Sequence, residues 1–280
     1  MTYRSLLVFL DDSAACDARV QCAIRMARER ECHLVGLAPT GLIDLPPEPG
    51  TWLGDYAARA WDTLRDRTEQ TAQRFRDACH AAGLSAAQAV IDEADRTRSL
   101  VRHAQYHDLV VLSQAWPDAR SASHEPTRTL VEDVVLHSAR PTLILPHAGT
   151  FEHPGSNVLV AWDDSREAAR ALADALPLLR HASQLQVVCW REPDDGSEPA
   201  RRASVEAIQR WLTCHGIASK AYVETCEQGL SHAIRLRAAE MHADLVVMGA
   251  YGHARWMQRV LGGATRGMLE AMNVPVLMSH

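Results

Sequence analysis

The sequence has no Cys-x-x-Cys pair, no apolar run approaching the roughly 20 residues that span a bilayer, and no surplus of positive charge. Each absence removes a class of function. Seven cysteines is an odd number, and Cys16, Cys22, Cys32 and Cys189 sit in apolar patterns where a small buried hydrophobe is expected. The 14 histidines show no closely spaced pair that coincides with cysteines, so no metal site is expected. Lys plus Arg number 29 against 35 Asp plus Glu, a formal charge of −6, which supplies no general attraction for nucleic acid or anionic lipid. The opening MTYRSLLVFLDD reaches acidic residues too soon for a secretory signal, and the expected compartment is the cytoplasm. Both common phosphate fingerprints, Gly-x-x-x-x-Gly-Lys-Ser/Thr and Gly-x-Gly-x-x-Gly, are missing.

What is present points to a different phosphate cradle. The apolar run Leu245, Val246, Val247, Met248 ends in Gly249, and Gly252, Gly262 and Gly263 follow before an amphipathic stretch that starts at Ala264. That order predicts strand, glycine loop and helix. Glycines at the end of a strand let backbone N–H groups approach a phosphate, and the helix N-terminus beyond favours negative charge. Glycines so placed also serve simply as turns, and both readings stand at this point.

The chain is one unit written twice. LLVFLDDS, ending at Ser13, matches VLVAWDDS, ending at Ser165; His107-Asp-Leu-Val-Val-Leu-Ser matches Ala243-Asp-Leu-Val-Val-Met-Gly; Arg140-Pro-Thr-Leu-Ile-Leu matches Val274-Pro-Val-Leu-Met. Asp11 and Asp163 are 152 residues apart, whereas Asp108 and Asp244 are 136 apart. The first half therefore carries extra residues, the Pro- and Gly-rich piece GLIDLPPEPGTWLGDY, which reads as a surface loop. Two domains are expected, residues 1–148 and 155–280, joined where Pro, Gly and Ser cluster. Apolar strands alternate with helical patterns in both, the mark of a doubly wound α/β fold with a parallel sheet covered on both faces. In such folds ligands bind beyond the strand C-termini where the strand order reverses.

The spacing Gly249-x-x-Gly252-x9-Gly262, the lead-in Asp244-Leu-Val-Val-Met and the closing Val274-Pro275-Val276-Leu277 resemble the universal stress protein family. The resemblance covers nearly the whole chain, strongly over 244–280 and weakly over the first half. It implies two tandem doubly wound five-stranded parallel sheets of strand order 3-2-1-4-5, the adenine nucleotide α-hydrolase-like class. It also implies a stress-response regulator that binds ATP, with or without Mg2+, and is not an enzyme. By this resemblance Asp163, led into by Ala161 and Trp162, faces adenine or ribose, and the backbone at Val188 and Cys189 bonds the base. Met248 lines the base pocket; Gly249, Gly252, Gly262, Gly263 and Ala264 hold the phosphates, with His253 as a further donor. The family has Ser or Thr where Gly263 stands, and Thr265 is the nearest hydroxyl. Asp163 equally suits a helix cap, and Met248 equally suits the core.

The first half departs further. Ser113 and Trp116 take its two leading glycine positions, and no glycine occurs between Gly83 and Gly149. It is not expected to bind ATP in this way, and Asp11 is left as a cap or remnant. The final strands, Leu143 to Leu145 and Val276 to Met278, are expected at the sheet margins, where unpaired edges invite pairing of the halves as an intramolecular pseudo-dimer. A homodimer remains open. The alternative function is a stress scaffold that binds no nucleotide.

Overall fold

The computed structural model describes residues 2–41, 52–114, 127–193, 196–252 and 263–280. The Pro-rich stretch 42–51, Trp116, His253 and Gly262 lie outside them. The first half runs β1 (Ser5–Phe9), α1 (Cys16–Arg30), β2 (His33–Pro39), α2 (Trp52–Ala81), β3 (Ala87–Asp92), α3 (Arg96–Ala104), β4 (Leu109–Ser113), α4 (Thr127–His137) and β5 (Thr142–Leu145). The second repeats it as β6 (Asn157–Ala161), α5 (Arg166–Leu179), β7 (Gln184–Arg191), α6 (Glu198–Cys214), β8 (Lys220–Thr225), α7 (Leu230–Glu240), β9 (Leu245–Gly249), α8 (Gly263–Ala271) and β10 (Val276–Ser279).

Strand order is β3-β2-β1-β4-β5-β10-β9-β6-β7-β8 in one sheet. Each half has the 3-2-1-4-5 order with parallel pairing, and the two sheets are continuous. They join at β5 and β10, which pair antiparallel with Leu277 opposite Leu143. A four-residue apolar strand at an open margin would expose its backbone groups; here each margin satisfies the other. The continuous apolar runs read from the sequence are buried on both faces: Leu6 and Val8 point to one layer of the core, Leu7 and Phe9 to the other. Cys16, Cys22, Cys32 and Cys189 are all buried, and burial raises each thiol above its ordinary value.

The Asp-Leu-Val-Val pattern has a mechanical role at the opposite end of the sheet from the glycines. The Asp244 carboxylate accepts hydrogen bonds from the backbone of Gly155 (2.8 Å), Ser156 (3.1 Å) and Asn157 (2.9 Å), clamping the start of β6 to the start of β9. Asp108 does the same for Arg4 (2.7 Å) and Ser5 (3.0 Å) in the first half. Asp244→Ala strands three amides at once and is expected to cost about 2–3 kcal/mol. Urea unfolding at constant slope measures it; an unchanged midpoint would show that water replaces the carboxylate without loss.

Candidate functional site

The second half builds its switch point from the Asp-Asp-Ser turn after β6. Trp162 continues the ladder, its N–H donating to the Val188 carbonyl at 2.9 Å. The Asp163 Oδ1 then accepts from the Ser165 amide (3.1 Å) and hydroxyl (2.6 Å), and Ser165 caps α5 by accepting from the Ala168 amide (3.1 Å). Asp164 adopts a left-handed φ of 63°. Its carboxylate accepts from the Ser204 hydroxyl of α6 (2.8 Å), which in turn accepts from the Trp162 indole N–H (2.9 Å). Asp163 thus has a turn role, holding the Ser165 cap in place, and it stands where β6 and β9 adjoin, since Ala161 pairs with Met248.

Gly249 and Gly252 lie over that same turn. A Cβ on Gly249 would stand 2.5 Å from the Ala168 nitrogen and 2.7 Å from the Glu167 carbonyl carbon. A Cβ on Gly252 would stand 2.9 Å from Glu167 Oε2 and 3.0 Å from Ser165 Oγ. The missing side chains let the chain leaving β9 settle onto the first turn of α5, so they serve packing directly. Gly263, the first residue of α8, differs: a Cβ there would meet nothing within 4 Å among the described residues. Ala264 follows it in the first turn of α8, half-buried.

Four of the assigned residues have internal commitments. The Val188 carbonyl accepts from the Trp162 amide as part of the ladder. Cys189 is an interior ladder residue opposite Val223, its thiol buried and contacted by the Arg201 guanidinium at 3.4 Å. β7 runs on to Arg191, which carries the open strand end beyond both residues. Met248 is buried among core residues of the β9 face, as its apolar character alone would place it. The Thr265 hydroxyl is buried and accepts from the Tyr251 amide at 3.2 Å, tying the loop entry to α8.

Two residues were not anticipated from the sequence. Glu167, in the first turn of α5, is buried beneath Gly252. Burial pushes its carboxyl up, but the neighbouring Arg166 guanidinium outweighs burial and holds it below the usual range. Arg19 of α1 is 1% exposed, at the switch point of the first half. Its Nε donates to the Phe9 carbonyl (2.7 Å), Nη1 to the Ser113 hydroxyl (2.8 Å) and Nη2 to Asp11 (2.7 Å), so one guanidinium joins the ends of β1 and β4. The matching residue 152 positions on is Ala171. A signal existed: Arg19 falls among Cys16, Val20 and Ala23 on the core face of α1.

The doubly wound sheet, the repeated Asp-Asp-Ser turn and the glycines after β9 define a class of α/β protein whose working edge lies at the strand C-termini. Residues 156–280 match the model of the universal stress protein family. The whole chain shares its fold with a universal stress protein from Archaeoglobus fulgidus, at 18% identity, 98% coverage of this chain, 97% of that one and a TM-score of 0.74. A functionally unknown protein from Pseudomonas aeruginosa is similar at 16% identity, 99% and 92% coverage and a TM-score of 0.61. No curated protein matches in sequence. No helix among the described residues is long and apolar enough to cross a membrane.

Proposed function

We propose that the second half is a regulatory module, not an enzyme, that holds ATP or a related adenine nucleotide beyond the ends of β6 and β9. The observation that supports it most is Gly263 at the mouth of α8, a helix N-terminus where a side chain would meet nothing among the described residues. Asp163 and the two glycines over α5 lie at the strand-order reversal, the place such sheets use for ligands. The phosphates belong at α8 and the base toward the Arg191 end of β7. No lysine-bearing phosphate loop is present in the sequence to drive turnover.

Gly263→Asp separates binding from folding. A carboxylate in the first turn suits the helix dipole, so stability is expected to hold or rise slightly, while a phosphate is repelled. Titration calorimetry with Mg-ATP is expected to show at least about a tenfold loss of affinity. In the wild type, ATP at a hundredfold excess over Kd raises stability by about 2.7 kcal/mol. The absence of any thermal shift at millimolar ATP would instead support a nucleotide-free scaffold, which the commitments of Thr265 and Trp162 to internal hydrogen bonds favour.

A further inference from the structure

The first half has a cleft of about 360 Å³ at the ends of β1 and β2, between α2 and the start of α3. Its floor is apolar: Leu10, Ala38 and Pro39. Arg67 of α2 and Arg96, the first residue of α3, stand on its walls, and neither guanidinium has a hydrogen bond or ion pair among the described residues. We propose that this cleft binds a small organic anion, an apolar body bearing one phosphate or carboxylate that Arg67 and Arg96 hold.

The two unpartnered guanidiniums, rather than the net charge, favour an anion. Three carboxylates also line the cleft, but Asp11 is neutralised by Arg19 and Asp95 is held as the cap of α3, accepting from the Arg98 amide at 2.9 Å. Asp12 and the capping Asp95 balance the two guanidiniums in formal charge, but among the described residues neither carboxylate is paired with Arg67 or Arg96, which leaves both forked donors open to a ligand. Gly41, at φ 70°, leaves room for Arg96, whose Nε would be 3.3 Å from a Cβ there. The volume suits a small ligand, and a charged, forked donor is well matched to phosphate or carboxylate.

Arg19 sets the size limit. It fills the crevice between β1 and β4, so a polyphosphate tail cannot pass from this cleft along the strand ends. The second half differs at the same place: Trp162 stands 152 residues on from Leu10, packed and bonded to Ser204. The cleft is therefore a feature of the first half and independent of the proposed nucleotide site.

Calorimetry on the full chain with phenyl phosphate and with benzoate tests both anion types, with benzyl alcohol and inorganic phosphate as probes of body and charge alone. Saturable 1:1 binding of at least one aromatic anion is expected, with Arg67→Gln and Arg96→Gln each weakening it about tenfold at unchanged thermal stability. Phenyl phosphate against benzoate tells which acid group is preferred. No saturable binding of either anion, binding indifferent to both substitutions, or inorganic phosphate or benzyl alcohol binding equally well would each overturn the proposal.

Discussion

Arg19→Ala is expected to lower the unfolding free energy by about 3–5 kcal/mol, because breaking a buried ion pair leaves an uncompensated charge behind. Three acceptors lose their donor together: the Phe9 carbonyl, the Ser113 hydroxyl and the Asp11 carboxylate. A cavity opens as well, since Arg19 is among the largest fully buried side chains. Urea denaturation followed by circular dichroism measures the loss. Arg19→Met with Asp11→Asn should recover part of it, as the stranded charge is removed and the volume refilled. A loss under about 1 kcal/mol for Arg19→Ala would show that water enters and solvates the crevice.

The same pair predicts a pH dependence. Burial pushes the Asp11 carboxyl up, but the Arg19 charge and the hydrogen bonds from Ser13 and Arg19 outweigh it and hold the group below the ordinary 3.8. A carboxyl lowered by folding contributes stability that is present above the unfolded value and lost as pH falls through the folded one. The wild type should therefore lose stability below about pH 4 more steeply than Asp11→Asn does. Equal acid slopes in the two proteins would mean the pair is solvated in solution.

Gly249→Val is expected to be the most damaging substitution in the second half, at about 3 kcal/mol or more. The new Cβ would meet the Ala168 nitrogen at 2.5 Å and the Glu167 carbonyl carbon at 2.7 Å, both backbone atoms that cannot rotate away. Either the end of β9 lifts from α5 or the Ser165 cap is lost. Gly263→Ala is the control, because its Cβ meets nothing among the described residues and should change stability by within about 0.5 kcal/mol. Equal melting temperatures for the two variants would contradict the close approach of β9 to α5. Nucleotide affinity should also fall in Gly249→Val, since the turn that carries Asp163 is the turn displaced.

Periodic and repeated features were legible without coordinates. The alternation of apolar strands with helices and the duplicated Asp-Asp-Ser turn are present, as is the 3-2-1-4-5 order within each half that the family resemblance implied. Assignments that depended on what a backbone group was already bonded to were not legible. Val188 and Cys189 lie inside the ladder of β7, which extends to Arg191. Thr265 accepts from the Tyr251 amide, a tie between loop and helix that the sequence does not signal. The effects expected of Trp116, His253 and Gly262 fall outside the described residues.

Local patterning is a property of the chain, so the amino-acid sequence alone determined the class of fold, its duplication and the glycine-rich exit from β9. Hydrogen-bond commitments and close approaches are properties of pairs far apart in sequence, and only the tertiary structure decided them. It joined β5 to β10 across the two halves, set Arg19 between Phe9 and Ser113, and left the cleft beside Arg67 and Arg96 open. Burial makes each of these choices, because a polar group removed from water must find a partner that no linear pattern names.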